Sequence, residues 1–128
     1  MEEAPILNSA ENIYQFMHTT IQDLDIEEGW ILMMKQNFRL IEAKRISVGG
    51  LTMAPVDLRL MMKEVLLKNT TVLAFCHNHP SGSTNPSRED DMLTSHIHKA
   101  CELLHIHFAD HVILTDGGYF SYREEGKL

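Results

Sequence analysis

Residues 77–90, HNHPSGSTNPSRED, carry two histidines, a serine and an aspartate whose types and spacing suit a metal site. Residues two apart in a strand point to the same side, so His77 and His79 can direct two imidazoles at one point. Pro80 ends the strand, and Ser87 opens a helix through its side-chain oxygen. Two imidazoles, one carboxylate and a water are the ligand set of catalytic Zn²⁺. Such an ion lowers the pKa of its water to about 7 and polarises a carbonyl.

Asp90 is the predicted third ligand because helical periodicity turns it inward. The apolar positions of the helix that follows Ser87 form one stripe about 100° wide: Leu93, Ile97, Ala100, Cys101 and Leu104. Asp90 falls within this stripe, whereas Asp91 falls on the far side. A buried carboxylate needs a partner, and a cation shared with the two histidines supplies one.

The same serine and aspartate also fit a helix cap without any metal. Ser87-Arg-Glu-Asp90 matches the capping-box pattern, and a histidine pair alone is a weak signal because residues 96–98 and 105–107 repeat it. The first repeat lies on a predicted helix, where its two histidines stand about 200° apart and cannot share an ion. The strand end, the proline and the inward Asp90 favour the metal site. The two interpretations are compatible, because Ser87 can cap the helix and still present its hydroxyl.

Eight elements must position these residues, in the predicted order α-β-β-α-β-α-β-β. Helix starts are predicted after Asn8 or Ser9, after Asp57 and at Arg88, the last helix ending near residue 104. Strands are predicted over 30–36, 40–48, 70–76, 105–115 and 119–123. Helices and strands alternate in the middle of the chain, which predicts an α/β fold with one mixed sheet covered by helices.

Composition and charge restrict the function. The 128 residues suffice for one core. The net charge of −7, from 18 acidic and 11 basic residues, argues against tight nucleic-acid binding, since a phosphate-binding face is normally basic. No apolar run approaches the roughly 18 to 20 residues of a membrane span, and no secretory leader is evident, so we expect no membrane association and a cytoplasmic location. Cys76 and Cys101 are expected to be free thiols.

HNHPSGSTNPSRED has the H-x-H, seven residues, S, two residues, D spacing of the JAMM motif, and it resembles the RadC-like branch of the MPN/JAB metalloprotease superfamily. ISVGGLT and FADHVILTDGGYFSYREEGKL are also similar to that branch. The resemblance covers residues 30–128. It implies a cytidine-deaminase-like three-layer α/β/α sandwich, in which residues 1–29 form an N-terminal arm and helix of the same domain.

The resemblance also implies a function. His77, His79 and Asp90 would bind Zn²⁺, and Ser87 would hydrogen-bond the activated water or the developing oxyanion. Catalytic members of the superfamily hydrolyse peptide or isopeptide bonds, so the implied substrate is a peptide or protein. The RadC-like branch also carries a DNA-repair label. His111, which follows Asp110 as in the family, is expected to support the site or the fold rather than bind the metal.

The general base is the open point of this hypothesis. In JAMM proteins it is a glutamate on an upstream strand, but aligning ISVGG to the family places Lys44 there. Glu42 lies on the same strand face, about 6 to 7 Å away along the strand. Glu42 could serve as the base through a bulge, Lys44 could leave a weak or inactive enzyme, or the two could form a surface ion pair. The rival functions are a non-catalytic, metal-stabilised interaction module and a DNA-repair accessory protein, and a homo-oligomer stays open.

Overall fold

A computed structural model of the protein describes residues 3–21, 24–49 and 56–128, and within these ranges it contains three helices and five strands. In chain order they are α1 (Ala10–Ile21), β1 (Glu28–Met34), β2 (Leu40–Val48), α2 (Leu58–Leu67), β3 (Val72–Asn78), α3 (Arg88–Leu103), β4 (His107–Thr115) and β5 (Gly118–Ser121). The predicted element order is confirmed. Residues 50–52 of the ISVGGLT segment lie outside the described residues.

The five strands form one sheet in the order β2-β1-β3-β4-β5. The β3–β4 pair is parallel and the other three pairs are antiparallel, so the sheet is mixed. On one face, α1 packs in a core with alternate residues of the central strands. On the other face, α2 and α3 pack in a second core. The predicted α/β/α sandwich is therefore confirmed.

The central strand β3 explains the continuous apolar run in its sequence. All of its residues are buried, as expected for a strand covered on both faces. Ala74 and Cys76 join the core on the α1 side, whereas Leu73 and Phe75 join the core beneath α2 and α3. Strand alternation therefore puts the next residue of the second set, His77, on the side of α3.

The predicted limits of several strands are wrong by about two residues. β3 continues to Asn78 rather than ending at Cys76, because the polar side chains at its end find partners inside the fold. β4 begins at His107 rather than at His105, because His105 has a φ of 58° and its N–H closes the turn after α3 by bonding Glu102 O. None of the helices in the described part of the chain combines the length and apolarity needed to cross a bilayer.

Candidate metal centre

The two histidines of the H-x-H pair are held at the end of the parallel β3–β4 ladder. His77 is the sixth residue of β3 and pairs with Ile113 of β4. His79 follows the strand, and its N–H donates to Leu114 O at 2.9 Å. The ladder therefore extends just far enough to fix the backbone of both histidines beside the first turn of α3.

The structure brings His77, His79 and Asp90 together. The Nε2 atoms of His77 and His79 are 3.0 Å apart. Asp90 Oδ1 lies 3.1 Å from His77 Nε2, and Asp90 Oδ2 lies 3.2 Å from His79 Nε2. Ligand atoms of a tetrahedral zinc site stand roughly 3.3 Å apart, so these three groups fit one small cation with little movement. The side chains of His77 and Asp90 are each 3% exposed, so the centre is buried.

Ser87 positions Asp90 through a capping box at the start of α3. The Ser87 hydroxyl accepts a hydrogen bond from Asp90 N at 3.0 Å, and Asp90 Oδ2 accepts one from Ser87 N at 2.8 Å. Asp90 is buried and Asp91 is exposed, as helical periodicity predicts. The cap and the convergence on the histidines thus exist together, and the Ser87 hydroxyl keeps its own proton for a further hydrogen bond.

Hydrogen bonding also determines which nitrogen His79 offers to the centre. His79 Nδ1 lies 2.8 Å from Ser83 O. A carbonyl oxygen only accepts, so a neutral His79 carries its proton on Nδ1 and directs the Nε2 lone pair toward His77 and Asp90. Burial lowers the pKa of His79, but the hydrogen bonds with Asp90 and Ser83 outweigh it and the pKa is raised overall.

The carboxylate of Asp90 is ionised at neutral pH. Burial raises the pKa of Asp90, but hydrogen bonds with His77 and His79 outweigh this effect and hold the pKa well below its usual range. A buried anion between two imidazoles is an arrangement that a divalent cation would stabilise. The donor set, two nitrogens and a carboxylate, is one that zinc accepts.

Glu27 is a carboxylate at this centre that the sequence analysis missed. Its Oε1 lies 3.9 Å from His79 Nε2, and Glu27, His77 and His79 have ligand atoms within 4.8 Å of one another, so they form a candidate metal-binding triad. Asp90 lies closer than Glu27 to both histidines. Glu27 also lines an open cleft of about 300 Å³ together with Ser87.

Asn78, between the two histidines, holds the chain on either side of Glu27. Its Oδ1 accepts from Glu28 N at 2.7 Å, and its Nδ2 donates to Ile26 O at 3.1 Å. Because β1 runs antiparallel to β3, the residues that precede β1 lie beside the residues that follow β3. That pairing is the signal that could have identified Glu27, but it depends on sheet order.

The structure does not bring Glu42 together with the histidines. Glu42 pairs with Met33 of β1, which pairs with Leu73 of β3, and Leu73 is four residues, or roughly 13 Å, from His77. Glu42 Oε1 instead lies 3.3 Å from Lys68 Nζ.

Lys44 is engaged in the same way, with its Nζ 2.9 Å from Glu64 Oε1. Of the three alternatives for Glu42 and Lys44, the one in which they form an ion pair with each other is wrong, because each is bound to a different residue. Each of these two bridges joins β2 to a residue of α2 or its cap, which explains why two charges interrupt the inward face of β2 away from the centre.

A family model described as RadC-like JAB domain matches residues 7–127. A UPF0758 protein of Flavobacterium johnsoniae is 37% identical over 120 residues, which are 94% of this chain and 52% of the relative. A UPF0758 protein of Porphyromonas gingivalis is 36% identical over 116 residues, 90% of this chain and 51% of the relative. A UPF0758 protein of Haemophilus influenzae is 35% identical over 124 residues, which are 97% of this chain and 56% of the relative. The chain thus spans about half the length of the curated relatives it matches.

Proposed function

Because this chain belongs to the RadC-like JAB domain family, we propose that it is a zinc-dependent hydrolase that cleaves a peptide or isopeptide bond with an activated water. The observation that carries the proposal is the convergence of His77 Nε2, His79 Nε2 and the Asp90 carboxylate within 3.0 to 3.2 Å. These atoms lie beside an open cleft that a substrate could enter.

His77, His79 and Asp90 are the proposed zinc ligands. Zinc would supply Lewis acidity and a water of lowered pKa. The two imidazoles contribute neutral nitrogen donors, and Asp90 contributes one negative charge. The net charge of the bound centre would be +1, which favours an electron-rich carbonyl in the cleft.

Glu27 is the proposed general base. A base must lie within hydrogen-bond reach of the water, directly or after a small adjustment. Glu27 Oε1 is 3.9 Å from His79 Nε2, whereas Glu42 is on the far part of β2 and paired with Lys68. Glu27 would take a proton from the water at Oε1 and return it to the leaving amine nitrogen.

Ser87 is proposed to stabilise the charge that develops on the carbonyl oxygen of the substrate. Its Oγ already accepts from Asp90 N, so its own O–H is available to donate into the cleft. A donor aimed at a developing oxyanion accelerates acyl transfer more than one that binds the ground state.

A non-catalytic, metal-stabilised interaction module is the second candidate, and Lys44 favours it. Lys44 stands where the resemblance places the glutamate of catalytic relatives, and it is bound to Glu64. A DNA-repair accessory function is less supported, because the chain carries a net charge of −7.

A matched pair of variants tests the enzyme proposal. We expect purified wild-type protein to contain one zinc per chain by elemental analysis and to cleave members of a fluorogenic peptide and isopeptide panel. Glu27→Gln should retain the zinc and lose at least about 100-fold in turnover, the usual size of a general-base effect. Glu42→Gln, the matched control, should keep both properties.

The other outcomes separate the alternatives. Equal zinc content in wild type and Asp90→Ala would overturn the ligand set. Zinc binding without cleavage of any panel member would favour the interaction module. Unchanged turnover in Glu27→Gln would remove Glu27 from the mechanism.

A further inference from the structure

A third histidine, His111 of β4, contacts the candidate centre from inside the core. It is fully buried, and its Nε2 lies 2.9 Å from His77 Nδ1. Its other nitrogen, Nδ1, lies 2.5 Å from Thr94 Oγ1 on α3. Thr94 Oγ1 in turn donates to Asp90 O at 2.9 Å. His77, His111, Thr94 and the Asp90 carbonyl therefore form one continuous series of hydrogen bonds. The proposed chemistry uses neither His111 nor Thr94.

The donor and acceptor roles in this series of hydrogen bonds are fixed at its last atom, Asp90 O. Asp90 O can only accept, so the single hydroxyl proton of Thr94 is committed to it. Thr94 Oγ1 must then accept from His111, whose proton is therefore on Nδ1. A neutral imidazole carries only one proton, so His111 Nε2 is an acceptor.

The same reasoning continues to His77. Because His111 Nε2 accepts, the proton between the two rings belongs to His77 Nδ1. His77 Nε2, which lies 3.1 Å from Asp90 Oδ1 and 3.0 Å from His79 Nε2, is then the nitrogen left free for the centre. Its lone pair can bind a metal, or in the absence of a metal it can take up a proton and donate to Asp90. The chain of hydrogen bonds thus selects the ring nitrogen that faces the centre.

Aromatic packing holds the His111 ring in the required plane. Tyr122 stacks on it with centroids 4.7 Å apart and an interplanar angle of 11°. Phe75 meets it edge-on, with centroids 4.9 Å apart and an angle of 77°. With Tyr122 stacked on the ring and Phe75 packed against it, the two nitrogens of His111 are directed to His77 and Thr94.

We propose that Thr94 and His111 are positioning residues that fix the tautomer of His77, so that Nε2 is the nitrogen offered to the metal. The proposal rests on the zinc site of the proposed function. Both histidines of the H-x-H pair would then be oriented by a backbone carbonyl, His79 directly by Ser83 O and His77 through His111 and Thr94. A partner that fixes a ligand histidine in this way is typically worth 10- to 100-fold in metal affinity, about the scale expected here.

Removing the Thr94 hydroxyl tests these donor and acceptor assignments. Without it, His111 can place its proton on Nε2 and donate to His77 Nδ1, which moves the His77 proton to Nε2 and against the metal. Thr94→Val removes the hydroxyl at nearly constant shape, whereas Thr94→Ser retains it. Thr115→Val is the matched control, because Thr115 is also buried but its hydroxyl donates to Gly118 O, away from the centre.

Two measurements are needed, and the first requires no metal. Imidazole ¹⁵N shifts of the metal-free protein should show a proton on Nδ1 of His77 in wild type, Thr94→Ser and Thr115→Val, and partial or complete loss of that Nδ1 proton in Thr94→Val. Competition with a chromophoric chelator should then show zinc affinity about 10- to 100-fold weaker in Thr94→Val alone.

Each result decides one question. An unchanged His77 tautomer and zinc affinity in Thr94→Val would overturn the inference. A wild-type protein with the expected tautomer but no zinc binding would sink the proposed function and leave the hydrogen-bond assignment standing.

If Thr94→Val does not fold, a pair of variants at His111 replaces it. His111→Gln keeps an acceptor for His77 and a donor for Thr94, so it should retain zinc. His111→Leu keeps neither the acceptor nor the donor and should bind zinc more weakly. Equal zinc affinity in these two variants would contradict the proposal.

Discussion

Gly29 of β1 lies directly opposite His77 of β3 in the antiparallel β1–β3 pair. On its other side Gly29 pairs with Ser47 of β2, next to a bulge in the β1–β2 ladder. A Cβ at this position would collide with Ser47 Oγ and approach Phe75 Cζ to 2.9 Å. Because Gly29 has no Cβ, Ser47 of β2 and the Phe75 ring can pack closely against β1, beside the end of β3 that carries the H-x-H pair.

Gly29→Ala should destabilise the protein by about 1 to 3 kcal/mol, the usual cost of overpacking a core. Ser47 can rotate its hydroxyl away, but Phe75 is fully buried and its ring packs nearly perpendicular to that of His111, so it cannot yield freely. Urea unfolding measures the effect. Gly117→Ala is the control, because in the described part of the chain no atom beyond its two sequence neighbours lies within 4 Å of a Cβ there, and it should stay within about 0.5 kcal/mol of wild type. Equal stability of the two variants would show that the β1–β3 contact is loose.

Ser87→Ala should both destabilise α3 and weaken zinc binding. Loss of an N-cap costs about 1 kcal/mol, and without the Ser87 hydroxyl the Asp90 N–H loses its acceptor. The bond from Ser87 N to Asp90 Oδ2 remains, but the first turn of α3, which carries that carboxylate, is less firmly held. Ser9→Ala is the matched control, since Ser9 Oγ accepts from Asn12 N at the start of α1, on the other face of the sheet. Both variants should unfold at lower urea concentration, but only Ser87→Ala should bind zinc more weakly in the chelator competition. Equal zinc affinities would show that Asp90 keeps its orientation without the cap.

The parts of this centre that sequence reasoning found are those set by local geometry. The buried β3, the inward Asp90 and the Ser87 cap each follow from spacing within about a dozen residues. Thr94 follows Asp90 by one helical turn and could have been placed on the same buried face, but its polarity excluded it from an apolar stripe.

The proposed general base could not be located in this way, because its position depends on how distant strands align. Glu42 shares a strand face with Lys44, as predicted, but the β1–β2 register puts Ser47 rather than Glu42 opposite Gly29 and hence level with His77. Glu27 reaches the centre only because β1 is the antiparallel neighbour of β3. Neither fact is encoded in a local pattern.

Asn78→Ala should loosen the segment that carries Glu27. Its side chain satisfies Glu28 N–H and Ile26 C=O, and leaving two such groups unpaired costs roughly 1 to 3 kcal/mol each where they are buried. Hydrogen exchange should therefore show faster exchange of the Glu28 amide than in wild type. Asn37→Ala is the control, because Asn37 also accepts from a backbone N–H, that of Arg39, but in an exposed turn. Unchanged protection of Glu28 would mean that other contacts hold the segment.

Cys76 and Cys101 should be unreactive until the protein unfolds. Both are free and fully buried, and burial raises the pKa of Cys101 to about 12 and that of Cys76 further. The thiolate is the nucleophile, so at pH 8 only about one Cys101 in 10⁴ is in the reactive form, and access is blocked as well. Ellman's reagent should release almost no chromophore from the native protein and two equivalents in guanidinium chloride, one for each cysteine in the chain. A rapid single equivalent from the native state would show that one face of the sheet opens, and comparing Cys76→Ala with Cys101→Ala would identify which.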